Sequence, residues 1–76
     1  MSLSITNIDF KNGLILLHLN NGSYIQDEIK KFPKLSKASN DELSKYELWD
    51  NGKWIHWESL NEDLGLEGFL IKKNNP

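Results

Sequence analysis

The chain has 76 residues, enough for one domain, with nine basic against eleven acidic residues, a net charge of −2 and no cysteine. These numbers exclude disulfide staples, thiolate chemistry and cysteine-based zinc sites. They also argue against nonspecific binding to nucleic acid or a membrane surface, which needs a dominant basic face.

A domain this small buries only about 60% of the surface its unfolded chain exposes. Apolar residues make up 38%, and three Trp offset that low share with large rings. The longest apolar run, Leu14-Ile15-Leu16-Leu17, is far short of the roughly 20 residues of a membrane span. No leader pattern is expected, and a small domain without disulfides suits the cytoplasm. Met1-Ser2-Leu3 has the look of an expression scar and is given no weight in the single-domain assignment to residues 1–76.

Three Asn-Gly pairs punctuate the chain: Asn12-Gly13, Asn21-Gly22 and Asn51-Gly52. Both residue types tolerate the positive φ that two-residue type I′ hairpins require. The first pair separates Ser4 to Phe10, with Ile5, Ile8 and Phe10, from Leu14 to Leu19, which is apolar almost throughout. That pattern predicts a central strand covered on both faces. A third strand over Ser23 to Gln26 completes an antiparallel meander.

In the segment from Asp27 to Lys45, Ile29, Phe32, Leu35 and Ala38 recur at threes. Pro33 suits the first turn of a short helix, where its missing N–H would be unpaired anyway. Ser39-Asn40-Asp41-Glu42 fits a capping box opening a second helix from Asn40 to Lys45, with Leu43 facing inward. Tyr46 to Trp49 and Lys53 to Trp57 flank Asn51-Gly52 as a second hairpin. A polar loop from Glu58 to Asp63, a short helix from Leu66 to Ile71 and a frayed tail over residues 72–76 finish the chain. The class is α+β: a meander, a second hairpin and two or three short helices.

The residues with chemical potential gather in Trp54-Ile55-His56-Trp57-Glu58-Ser59-Leu60-Asn61-Glu62-Asp63. His56 could serve as a base or metal ligand. Its plainer use is a hydrogen bond to loop backbone, Glu62 or Asp63, which would also hold it protonated nearer neutral pH. Glu58, Glu62, Asp63 and Glu67 form the densest acidic group. They could do acid–base work or bind a hard cation; the plainer use is that Glu62 and Asp63 favour the positive end of the last helix and that Glu67 is solvated. Strand alternation puts Trp54 and Trp57 on opposite faces, so one ring is less buried; the alternative packs both rings. Lys30, Lys31, Lys34 and Lys37 could contact phosphates, but Asp27 and Glu28 dilute that patch.

The order Gly22, Ile25, Ile29, Phe32-Pro33-Lys34-Leu35, Ala38-Ser39 and Asp41-Glu42, then Glu47-Leu48, Ile55-His56-Trp57, Leu60-Asn61-Glu62-Asp63-Leu64 and Glu67-Gly68-Phe69-Leu70, resembles a bacterial family. That family is domain of unknown function 2442, whose members carry a Phe-Pro-Arg-Leu stretch before an Ile-His-Trp-Pro-x-Leu-Asp-Glu-Asp-Ile-Ser-Val-Glu-Gly-Leu-Leu segment. The resemblance covers roughly residues 5 to 71. Here Glu58 and Ser59 stand where the family often has Pro and Asp. Gly65 replaces a Ser that would cap the last helix, Leu43 an Arg and Lys31 an aromatic. The resemblance implies a small α+β domain with no assigned activity. It also implies a regulatory setting, since some members stand beside DNA-binding or toxin–antitoxin-like partners.

The combined expectation is a non-enzymatic domain that binds another protein or a second copy of itself through Trp54, His56, Trp57, Glu62 and Asp63. It has no catalytic set, cofactor or metal and makes no membrane contact. One alternative is a nucleic-acid accessory acting through the Lys30 to Lys37 face. The other is an enzyme using His56 with Glu62 or Asp63.

Overall fold

The computed structural model describes residues 2–74, and for residues 71–74 the helical backbone alone. Strands β1 (Ile5–Lys11), β2 (Leu14–Leu19) and β3 (Tyr24–Glu28) form one antiparallel sheet in the order β1-β2-β3. A 3-10 turn (Ile29–Lys31) and two short helices, α1 (Pro33–Ser36) and α2 (Asn40–Ser44), lead to a second sheet. That sheet orders β4 (Glu47–Trp49), β5 (Trp54–Trp57) and β6 (Glu62–Gly65), and helix α3 (Leu66–Asn74) follows.

The three Asn-Gly turns solve different problems. Asn12 and Gly13 both take positive φ, as a two-residue type I′ turn requires. At the second turn only Gly22 does, and its N–H closes a turn onto the Leu19 carbonyl, so Gly22 forms the bulge of a three-residue loop. At the third, Asp50, Asn51 and Gly52 all turn left-handed between the paired Trp49 and Trp54. Gly52 is obligatory there: a Cβ would lie 2.4 Å from the Ile5 carbonyl oxygen. This close approach lets the Ile5 N–H donate to the Gly52 carbonyl at 2.7 Å and ties the second hairpin to the edge of β1.

Strand β1 departs from strict alternation. Its register shifts between Ile5 and Asn7, so Ile5 and Ile8 both reach the core although three residues separate them. The expectation that β2 is covered on both faces is corrected. Ile15, Leu17 and Leu19 are buried, while Leu14, Leu16 and His18 on the other face are half-buried. Flanking side chains of β1 and β3, such as Asp9 and Gln26 beside Leu16, are what screen that outer face.

The core joins the inner faces of both sheets to Leu35, Leu43, Leu66 and Phe69 from the helices. The capping box is present: Glu42 N–H donates to Ser39 Oγ at 3.1 Å, and Ser39 N–H to Glu42 Oε1 at 3.0 Å. It holds α2 so that Leu43 points inward and the Leu43 carbonyl meets the buried Trp57 indole N–H at 3.1 Å. Tyr46 pins the sheets together, its hydroxyl accepting from Ile8 N–H at 3.0 Å and donating to Asn7 Oδ1 at 2.9 Å. Leu3 packs on this core and the Ser2 carbonyl accepts from Asn20, so these two residues share in the packing.

Two expectations at the C-terminal end change. The loop expected from Glu58 to Asp63 ends early, because Glu62 already pairs with Trp57 as the first residue of β6. Helix α3 runs to Asn74, into the segment expected to fray, while residues 75 and 76 lie outside the described residues. Among the described residues no helix is long and apolar enough to cross a membrane.

Candidate functional site

The second hairpin sets which side chains share a face. Trp49 pairs with Trp54, Leu48 with Ile55 and Glu47 with His56. On the other side of β5, Gly65 pairs with Trp54, Leu64 with Ile55 and Asp63 with His56. Side chains alternate along each strand. Ile55 and Trp57 therefore point into the core, and Glu47, Trp49, Trp54, His56 and Asp63 share the outer face.

His56 lies at the centre of that face. Its Nδ1 meets Asp63 Oδ1 across the strand pair, and its Nε2 meets Glu58 Oε1 at 2.8 Å. The Trp49 ring stacks on the imidazole with centroids 4.0 Å apart and 19° between planes. The imidazole is nearly buried although it belongs to an outer face. An ionised carboxylate can only accept hydrogen bonds, and only the doubly protonated imidazolium can donate from both ring nitrogens. Hydrogen bonding to Asp63 first, and to Glu58 second, accordingly raises the pKa of His56 above its ordinary value, against the opposing effect of burial.

Two of the three Trp rings stay open to solvent. Trp49 and Trp54 are each 47% exposed, whereas Trp57 is 1% exposed. Strand alternation thus holds, and the alternative, with one ring on the sheet core and the other packed under the final helix, does not, because Trp54 stays half-exposed. Trp49 Nε1 donates to Glu47 Oε1 at 3.0 Å, which holds the ring over His56. The Trp54 ring lies against Gly65, where a Cβ would come within 3.1 Å of its Cη2 and Cζ3 atoms. Glycine at the start of α3 thus gives up a capping side chain and gains a seat for an indole. Beside this ring runs a groove of 640 Å³ between the third hairpin loop and α3, with Leu3, Leu66 and Leu70 along it and Asp50, Lys53 and Glu67 at its edges.

The structure places Trp54, His56 and Asp63 together and separates Trp57 and Glu62 from them. Glu62 sits opposite the inward Trp57 and accepts from its neighbour's N–H, Asp63, at 3.2 Å. Trp49, Glu47 and Glu58 complete the face. Trp49 and Glu47 could have been found from the Asn51-Gly52 turn, because a hairpin centred there puts them opposite Trp54 and His56. Among the described residues no group of His, Asp and Glu side chains is arranged to hold a metal ion.

The lysine segment is partly occupied. Lys31 pairs with Asp27 at 3.4 Å, Lys30 with Glu28 at 3.9 Å, and Lys34 donates to the Asn61 carbonyl at 2.8 Å. Lys34 therefore braces the turn between β5 and β6 that carries Glu58.

A two-sheet α+β domain with an aromatic, carboxylate-lined outer face is the class this geometry defines. The chain belongs to the family described as protein of unknown function (DUF2442), whose pattern matches residues 5–74. Two solved structures share the fold. A protein of unknown function from Rhodospirillum rubrum is 24% identical with a TM-score of 0.82, over 95% of this chain and 89% of that one. An uncharacterised protein from Chromobacterium violaceum, solved by NMR in solution, is 20% identical with a TM-score of 0.78, over 96% of this chain and 69% of that one. No curated protein matches the chain.

Proposed function

We propose that this protein is a non-enzymatic binding domain that docks another protein on the outer face of its second sheet. The observation that carries this reading is the pair of half-exposed indoles, Trp49 and Trp54, facing each other across β4 and β5. Leaving two such rings in water forgoes much of the burial free energy a chain this small has to spend. Rings of this kind, held rigid and rimmed by polar groups, are the common anchors of protein interfaces. Trp49 is held by His56 and Glu47, and Trp54 by Gly65, so little side-chain freedom is lost on docking. The regulatory setting implied by the family resemblance makes the partner one half of a bacterial regulatory pair.

Two features weigh against the alternatives. Both ring nitrogens of His56 face carboxylates and one ring face is covered by Trp49, so no lone pair is free to take a substrate proton. Three of the four lysines in the nucleic-acid reading, Lys30, Lys31 and Lys34, are engaged by Glu28, Asp27 and the Asn61 carbonyl. The test is co-expression with the products of adjacent genes. A stable complex is expected, lost in Trp49→Ser and Trp54→Ser and kept in Lys37→Glu, at an exposed residue of the lysine segment. Absence of any such complex, or indifference to both Trp changes, overturns the proposal.

A further inference from the structure

We infer that the segment docking on this face is a basic one, an arginine- or lysine-bearing stretch of the partner seated over Trp49 and Trp54 among the carboxylates of Glu47, Glu58 and Asp63. This rests on the docking-face reading above and adds the chemistry of the partner.

The charge on the face is one-sided. Glu47, Glu58 and Asp63 stand on or beside the sheet, and Asp50 and Glu67 edge the adjoining groove. Among the described side chains, Lys53 lines that groove and Lys34 is tied to the Asn61 carbonyl, and the charge of His56 is already shared between Asp63 and Glu58. Neither of those carboxylates is used up: the side chain of Glu58 is 87% exposed and that of Asp63 56%. Each keeps one oxygen for a further donor, as does Glu47 beyond its bond to Trp49.

An acidic segment would meet like charge here. A neutral one would strip water from carboxylates and return no opposing charge. A guanidinium or ammonium answers both conditions, since it pairs with the carboxylates and lies on the electron-rich faces of the indoles. The groove along Leu3, Leu66 and Leu70 takes the aliphatic stem of such a residue or an apolar neighbour in the same segment.

The probe is a synthetic peptide, Gly-Arg-Leu-Arg-Leu-Arg-Gly, with a twin carrying Gln for each Arg, titrated into the whole chain while the three indole N–H signals are followed by NMR. The Arg peptide should move the signals of Trp49 and Trp54 and leave buried Trp57 in place, which makes Trp57 an internal check on folding. Affinity should fall about tenfold as salt shortens the screening length from about 30 Å to about 8 Å. Glu47→Gln, which can still accept from Trp49 and leaves both carboxylates on His56 in place, should weaken binding about threefold or more. Equal binding of the Gln twin to the same indoles overturns the basic-segment inference and leaves the docking face standing. Failure of both peptides at about millimolar concentration overturns the inference alone if the co-expressed complex still depends on Trp49 and Trp54. If that complex is also absent, both readings fall.

Discussion

His56 shows how one side chain can be outward in register and inward in environment. It leaves β5 on the solvent side, yet Trp49 covers it and two carboxylates hold its nitrogens. Because its folded-state pKa is raised, the stabilisation it contributes is fully present below the unfolded value near 6.5 and is lost as pH rises through the higher folded value. A urea midpoint measured at about pH 6 should therefore exceed one at about pH 9, and His56→Gln should flatten the difference. An unchanged slope in that variant would assign the dependence to other groups. Trp57 makes the opposite bargain. It is fully inward, and its indole N–H satisfies the Leu43 carbonyl. Trp57→Phe keeps an aromatic ring but orphans that carbonyl and leaves space, so a loss of about 2–4 kcal/mol is expected in chemical denaturation.

At the scale of elements, short pieces of secondary structure survive because each has a specific lock. Helix α2 is only five residues long and cannot stand on propensity. Its capping box supplies two of its missing partners, so Ser39→Ala should cost about 1 kcal/mol with the urea m-value unchanged. The hairpin loops differ in the same way. Gly22 has open space around its α-carbon, and Ala there meets only the backbone penalty of about 1–2 kcal/mol. Gly52→Ala adds a collision with Ile5 to that penalty and should be clearly the more destabilising of the two by thermal melting. Strand β6 has the weakest local claim. Glu62, Asp63 and Gly65 are poor strand formers, and pairing with β5 overrides their preference.

On the scale of the molecule, two small sheets share one core. Neither three-stranded sheet has a second apolar layer of its own. Ile5 N–H to Gly52 and the Tyr46 hydroxyl to Ile8 and Asn7 cross between them, and Trp57 fastens the second sheet to α2. Unfolding should therefore be a single transition. Far-ultraviolet dichroism, which reports both sheets, and fluorescence, which reports the Trp residues of the second, should give coincident curves. Tyr46→Phe should lower the midpoint of both together; separation of the two curves would show that the sheets fold apart.

Much of this was written in local sequence. The Asn-Gly turns, β2, Pro33 at the start of α1, the Ser39–Glu42 box and the opposition of Trp54 and Trp57 depend on residues near one another in the chain. Their physics is short-range: positive φ, a fixed φ, a reciprocal cap, a two-residue repeat. The registration of Trp49 and Glu47 with Trp54 and His56 also followed from the Asn51-Gly52 turn. Other features needed the folded chain. Strand β6 exists because β5 offers a ladder, and it brings Asp63 across to His56. The Gly65 hydrogen makes room for an indole eleven residues away in sequence. The groove opens where Leu3, from the far end of the chain, meets α3. Local sequence could propose Trp54, His56 and Asp63 as a group. The two-residue repeat and the Asn51-Gly52 turn suffice to set Trp57 apart and to bring in Trp49 and Glu47; only the folded chain decided that Glu62 would sit opposite Trp57 and that Glu58 would join Asp63 on His56.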